Sequence, residues 1–304
     1  SFTVPQTARS PMFPPGRLAY TTDSYVVTPL FFPGGNIGDL AVCGTVNDLA
    51  VAGAEPLYLS VAFIIEEGFP FSDLKKVVAS MASAARQAGV RIVAGDTKVV
   101  NKGKADGIFV TTSGVGVLRE GGEIAATRIK AGDKVIVSGE IGNHGIAILA
   151  ERNGLSFDPP VLTDSRPLNG LTKSMLNAAP DIHFMRDPTR GGMATTLKEA
   201  ALESGLCIKI REKELPVPLQ VKGACDLLGL DPLYIANEGI LLAILDAGKT
   251  DAVLLVMRSH PFGSKSAVIG EVQDSPNGMV LLETPAGGSR IIDMLPGEML
   301  PRIC

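Results

Sequence analysis

The chain of 304 residues has no tryptophan, only three histidines and four cysteines, and aromatic residues make up just 5% of it. The cysteines (Cys43, Cys207, Cys225 and Cys304) lie far apart with no Cys-x-x-Cys pair, which speaks against a zinc site or a disulfide framework. Long apolar runs are missing as well. Ile240–Leu245, toward the end, falls far short of the roughly 18 residues that span a bilayer. No signal peptide is legible, because Pro5, Pro11, Pro14 and Pro15 interrupt any apolar stretch near the first residues. Since the chain starts on Ser1 rather than Met, a further segment ahead of it is expected. Nor is there an excess of positive charge: the net charge is -4 with signs mixed, which leaves no basic face for nucleic acid or anionic lipid. These absences predict a cytoplasmic protein that engages neither nucleic acid nor membrane.

What is present is a globular composition, 45% hydrophobic and 20% charged, long enough for about two domains. Residues 1–17 are Pro-rich and without period. Leu18–Leu30 mixes Tyr, Thr and Val and reads as a pair of strands carrying Asp23. Leu40, Val42, Cys43, Val46, Leu49 and Ala50 fit a buried helix, and Leu57–Ile65 a buried strand. The clearest helix runs from Ser72, its expected N-cap, to Ala88 with Gly89 as the stop. Strands are expected at Val90–Val93 and Ile108–Leu118, and Gly121-Gly122 marks a domain boundary. The second half repeats the grammar: a strand at Lys134–Val137, a helix after Gly142, a Pro-rich and polar stretch over 154–170, and a helix near Met193–Glu203. Strands at Gly239–Leu245, Ala267–Val272 and Met279–Leu282 follow, with a helix at Thr250–Ser259 among them. This order predicts two α+β domains, 1–120 and 121–284, rather than an alternating parallel sheet. The Gly- and Pro-rich stretch 285–304 is expected to be a mobile tail.

Chemistry-bearing residues cluster at the ends of apolar segments. Thr21-Thr22-Asp23-Ser24, Thr45-Val46-Asn47-Asp48 and Ala94-Gly95-Asp96-Thr97-Lys98 place carboxylates beside small residues, expected on loops after strands. Hard oxygen ligands with close backbone approach are what Mg²⁺ on a polyphosphate requires, and Lys98 supplies a point cation. The same acids also suit plain turns and caps. Neither the P-loop nor the Gly-x-Gly-x-x-Gly signature is present, and Gly114-Val115-Gly116 lies inside an apolar strand. Gly142-Asn143-His144-Gly145 and Asp187-Pro188-Thr189-Arg190-Gly191-Gly192 each open a helix, where free N–H groups suit phosphate and where simple capping is the alternative. Glu238, in Asn237-Glu238-Gly239, is a possible base or a solvated turn residue. Cys43 and Cys207 read as small core residues and Cys225 is ambiguous.

Taken together, Asp23-Ser24-Tyr25, Pro29-Leu30-Phe31-Phe32-Pro33-Gly34-Gly35-Asn36-Ile37-Gly38, Gly44-Thr45-Val46-Asn47-Asp48 and Gly95-Asp96-Thr97-Lys98-Val99-Val100 resemble the HypE family of hydrogenase maturation proteins. So do Gly142-Asn143-His144-Gly145, Asp187-Pro188-Thr189-Arg190-Gly191-Gly192, Asn237-Glu238-Gly239 and the terminal Pro301-Arg302-Ile303-Cys304. The internal motifs occur more loosely across the aminoimidazole-ribonucleotide-synthetase-like superfamily, and the terminal cysteine separates HypE from those relatives. The resemblance implies a two-domain α+β fold of that superfamily and an ATP- and Mg²⁺-dependent enzyme working on its own carboxyl terminus. In that reading the carbamoyltransferase HypF loads Cys304 with a carbamoyl group, the S-carboxamide is dehydrated to S-cyanide, and the cyano group passes to iron on a HypC–HypD complex for the [NiFe] hydrogenase.

By matching motifs, Asp23, Asp48 and Asp96 are implied as Mg²⁺ ligands, with Asn47 and Thr97 beside them at the ATP site. Lys98 is implied as the phosphate cation, Glu238 as the base, and His144, Asp187 and Arg190 as further ATP-site residues. Domain 1–120 would bind ATP and form a homodimer through its sheet, and the tail would end in the reactive Cys304. Two departures stand out: no His-Gly-x-Gly-Gly segment precedes Asp23, and Ile240 stands where many relatives carry lysine. The rival readings are a kinase or synthetase of the same superfamily acting on a free small molecule, and a non-catalytic carrier.

Overall fold

The computed structural model describes residues 14–294. In the first half the elements are β1 (Leu18–Tyr25), β2 (Phe31–Phe32), β3 (Gly35–Asn36), α1 (Ile37–Val51), β4 (Ala54–Glu66), α2 (Phe71–Ala88), β5 (Arg91–Val100) and β6 (Ile108–Leu118). Four of the strands form a sheet in the order β1-β6-β4-β5, in which only β4 and β5 run parallel. Helices α1 and α2 close a core over the sheet, with Leu40, Val46, Leu59, Val77, Met81 and Val110 at its centre.

Local chemistry accounts for the helix ends. Asn36 caps α1 by accepting from Gly38 N, while Asp39 reaches back to the Asn36 N–H, a reciprocal capping box. The N-cap of α2 lies two residues earlier than its sequence predicts: Pro70, in extended conformation, occupies it in place of Ser72, because its fixed φ sets up the first turn without a side-chain bond. It stops where expected, at Gly89, with φ +72°.

The second half contains β7 (Lys134–Val137), α3 (Asn143–Asn153), α4 (Asn169–Ala178), β8 (Phe184–Arg186), α5 (Gly192–Ser204), β9 (Cys207–Arg211), α6 (Leu219–Leu228), β10 (Leu242–Leu245), α7 (Thr250–Ser259), β11 (Ala267–Gln273), β12 (Val280–Glu283) and β13 (Ser289–Ile292). Its seven-stranded sheet runs β13-β12-β9-β11-β7-β10-β8, antiparallel except for the β9–β12 pair. Helix α5 packs on one face against Ile208, Ile210, Leu242 and Ile244, and α4 and α7 pack on the other against Ile136, Leu241, Ala243 and Leu245. Burial on both faces is why Ile240–Leu245 is an unbroken apolar run rather than an alternation.

Several expectations change. Asp23, Asp48 and Asp96 are not on loops: Asp23 is within β1 opposite Thr112, Asp48 is within α1, and Asp96 is within β5 opposite Ala62. Strand β5 continues through Gly95-Asp96 because the missing side chain at Gly95 lets the strand lie against the Val61 carbonyl. Helices α4 and α6 and strands β8, β9 and β13 occupy stretches that the sequence leaves unassigned. Strand β13 falls inside the segment expected to be a tail and pairs with β12. Cys304 lies outside the described residues.

Candidate active site

Helix α1 is the axle between the two domains. Almost all of it is buried, so its polar residues must find partners inside the protein. Asn47 does so completely across the junction: its Nδ2 donates to the carbonyls of Arg166 and Glu238, at 3.1 and 3.2 Å, and its Oδ1 accepts from Leu168 N at 2.7 Å. Asn47, expected beside the nucleotide, is the bolt joining α1 to a strap over residues 162–168. The strap is tied further by Thr163, whose N–H donates to Pro33 O and whose hydroxyl meets His144 Nδ1 at 2.8 Å. His144 is thus buried at the start of α3, edge-on to Phe32, and supports the strap.

At the same junction the two domains bring four carboxyl groups together. Asp23 from β1 and Asp48 from α1 lie side by side, and Thr21 donates to Asp48 Oδ2 at 2.7 Å. Asp187 enters from the connection between β8 and α5, and Glu238 from the Asn237-Glu238-Gly239 turn. Both are buried, at 8% and 3% exposure. Burial, followed by the charge of Asp48, pushes Asp23 up to about 6, while Arg190 pulls it back. Burial and then Asp48 push Asp187 up to about 7. Glu238 is held well above the ordinary carboxyl range by burial first, then by Asp187, Asp164, Asp23 and Asp48. Tyr25 lies under the cluster, with its hydroxyl against Gly44, where any side chain would overlap it.

The turn bearing Glu238 is built with little freedom. Asn237 Oδ1 accepts from Gly142 N at 2.7 Å, and its Nδ2 donates to Pro188 O at 3.0 Å, so one side chain links the start of α3 to the Asp187 segment. Helix α5 opens on Gly191 and Gly192, at φ +70° and +60°, with no side-chain cap. A β-carbon at Gly192 would come within 2.6 Å of the Leu233 and Ile235 carbonyls. Consecutive left-handed glycines at an uncapped helix start leave backbone N–H groups suited to an anion.

Asp96, Thr97 and Lys98 stand apart. They are exposed on β5, at the opposite sheet edge from β1, and three strand spacings amount to about 14 Å. Within one chain the implied trio Asp23, Asp48 and Asp96 therefore does not meet. Among the described residues no group of three or more acids, histidines or cysteines is arranged to hold a metal ion. Asp23 and Asp48 alone suit a divalent cation by donor chemistry, as hard oxygens whose mutual repulsion a cation relieves. Cys43, Cys207 and Cys225 are all buried free thiols, so Cys225 joins the other two as a core residue.

Comparison with known proteins fits this geometry. Residues 12–118 match the family model of the AIR synthase related protein N-terminal domain, and residues 130–283 match that of its C-terminal domain. The chain is 53% identical over 291 residues to the carbamoyl dehydratase HypE of Azotobacter vinelandii, an overlap covering 96% of this chain and 85% of the relative. The chain belongs to the HypE family of carbamoyl dehydratases. A crystal structure of a HypE hydrogenase maturation protein in complex with ATP superposes with a TM-score of 0.94 at 46% identity, covering 98% of this chain and 90% of that one. A HypE from a HypE–HypF complex superposes with a TM-score of 0.89 at 51% identity, covering 91% of this chain and 90% of that one. As a member of the HypE family, the chain is an enzyme with the expected two-domain α+β architecture. What sequence reasoning missed is the support for the acids: Asn237, Asp164 and the 162–168 strap. The one available signal was an asparagine, Asn47, in a helix whose buried residues are otherwise small or apolar.

Proposed function

We propose that the chain converts the S-carbamoylated thiol of Cys304 to S-cyanide using ATP, at the junction between its domains. The observation that carries the site assignment is the convergence of Asp23, Asp48, Asp187 and Glu238, four carboxyl groups whose mutual repulsion calls for a cation or a proton. An amide oxygen is a poor leaving group. Its attack on the γ-phosphorus of ATP expels ADP and makes it a good one. Both N–H protons are then lost, the C–O bond breaks with its electrons to release phosphate, and the C–N bond becomes triple.

In this reading Asp23 and Asp48 hold the divalent cation that accompanies ATP, and the uncapped start of α5 with Arg190 receives phosphate oxygens. Glu238 takes up a nitrogen proton, and burial with neighbouring carboxylates, by holding its pKa above the ordinary carboxyl range, makes it a stronger proton acceptor. Asp187 shapes the charge around it.

The reading includes a homodimer formed through the N-terminal sheets. Strand β5 supports it: a long edge strand exposed on both faces, with Ile92, Val93 and Val99 uncovered and Val99 at 64% exposure, together with Tyr20 of β1 at 68%. A partner covering that surface would place its Asp96, Thr97 and Lys98 near the first chain's β1, which is how residues separated within one chain would serve one site. HypF is the proposed donor of the carbamoyl group and a HypC–HypD complex the acceptor of cyanide. The reaction is assigned to the cytoplasm, where thiols stay reduced, and no described helix is long and apolar enough to cross a membrane.

The test is intact-protein mass spectrometry after treatment with HypF and carbamoyl phosphate, with and without Mg-ATP. The carbamoyl adduct on Cys304 should lose the mass of one water when Mg-ATP is added. An adduct that persists unchanged in Mg-ATP would overturn the proposal in favour of a carrier, and ATP consumption unaffected by Cys304→Ala would point to a free small-molecule substrate.

A further inference from the structure

We infer that Asp164 is the positioning residue for Glu238: from the strap between the domains its carboxylate grips the backbone of the catalytic turn and fixes where the Glu238 side chain stands. The inference rests on Glu238 being the base. Asp164 Oδ1 accepts from Glu238 N and Oδ2 from Gly239 N, each at 3.1 Å, so both oxygens are committed to the two residues that set the turn. The grip is close. A β-carbon on Gly239 would collide with the Asp164 carbonyl, so strap and turn touch through backbone.

The strap has little freedom to move. Thr163 is bound to Pro33 and His144 on one side of Asp164, and Arg166 and Leu168 are bound to Asn47 on the other. A shift of α1 relative to the second domain therefore reaches the Glu238 turn on both sides, at its N–H groups through the strap and Asp164 and at the Glu238 carbonyl through Asn47. The position is electrostatically unfavourable for a carboxylate. Burial raises Asp164 despite two N–H donors and Arg166, and its charge adds to the repulsion around Glu238. A neutral side chain there would ease the fold, so the carboxylate is best explained by the paired acceptors that it alone offers the turn.

The experiment is single-turnover dehydration by the full chain, carbamoylated on Cys304, in Asp164→Asn, Asp164→Ser, Glu238→Gln and the Asp164→Asn/Glu238→Gln pair. Asp164→Asn replaces one acceptor with an N–H₂ group facing an N–H. The rate of thiocyanate formation should fall about tenfold or more, the weight of one charge-assisted hydrogen bond. The ATP concentration giving half-maximal rate should stay within about twofold, because the phosphate-binding backbone is untouched. Asp164→Ser, smaller and with one acceptor, should behave alike if the asparagine variant folds poorly. In the Glu238→Gln background Asp164→Asn should add no further loss, as expected of a residue acting through Glu238. An equal further loss in that background, or a full rate in Asp164→Asn where Glu238→Gln is slow, would overturn the inference alone. A full rate in Glu238→Gln would defeat the base assignment itself and the role of Asp164 with it.

Discussion

The acidic junction should store free energy against the fold, and Asp187→Asn measures it. Asp187 is buried, and its carboxyl is raised from 3.8 to about 7, first by burial and then by Asp48. A group whose pKa is higher in the folded chain than in the unfolded one leaves stability intact below the unfolded value. It withdraws stability as pH climbs toward the folded value. The gap of about three pH units corresponds to about 4 kcal/mol at pH 8, falling to about 2 kcal/mol at pH 5 and to near zero below pH 4. Asparagine has nearly the same shape and does not titrate. The variant without nucleotide should therefore be the more stable protein at pH 8, by about 2–4 kcal/mol once water penetration at the junction is allowed for. At about 2 °C per kcal/mol for a chain of this size, the melting temperature should rise by about 4–8 °C. The assay is thermal unfolding monitored by circular dichroism at pH 4, 6 and 8, with and without Mg-ATP. Mg-ATP should narrow or reverse the difference at pH 8, because a cation beside Asp48 removes part of the repulsion that the substitution removes. A melting temperature equal to or below that of the unsubstituted protein at pH 8 would refute the reasoning. So would a gain that does not shrink with acid, which would locate the effect in packing.

Two further residues, Asn47 and Lys98, give outcomes to measure. Asn47→Ala should destabilise the protein by about 3 kcal/mol in denaturant titration, since the carbonyls of Arg166 and Glu238 and the Leu168 N–H all lose a buried partner. Asn47→Asp should do no better, because it presents an oxygen to two carbonyls. Lys98→Ala should leave unfolding unchanged, Lys98 being exposed on β5, while slowing dehydration at least about tenfold. If β5 serves the partner's site, mixing Lys98→Ala with Glu238→Gln protein should restore part of the activity, and absence of any recovery in a proven mixed dimer would remove β5 from the site.

The elements legible in the sequence were those with periodic burial. Helix α2 shows its buried residues Val77, Met81, Ala84, Ala85 and Ala88 at helical spacing and ends on a left-handed glycine, and β6, with alternating burial, and α7 have the expected limits. The motif acids were legible as motifs but not as places. Gly beside Asp ordinarily signals a turn, yet Gly95-Asp96 continues a strand because the glycine makes room for β4, and Asp48 lies in a helix buried on nearly every side. Helices α4 and α6, ten residues each, adjoin Pro-rich and polar stretches that mask so short a period.

The strap over 162–168 could not be read at all, because its work is done by hydrogen bonds rather than by burial of a face, and hydrogen bonds leave no period. That difference separates what was found from what was missed. The carboxyl groups carry chemistry in their own side chains, so each is visible as a residue type. Asn47, Asn237 and Asp164 act by where they hold the backbone: Asn47 ties the first domain to the second, while Asn237 and Asp164 fix the Glu238 turn within the second, so that Asp23 and Glu238, 215 positions apart, share one environment. The raised pKa values follow from that assembly: Asp187 or Glu238 on an isolated segment would titrate as an ordinary acid. The site is therefore a property of the domain junction, and substitutions that loosen the strap should change its electrostatics as surely as substitutions of the acids themselves.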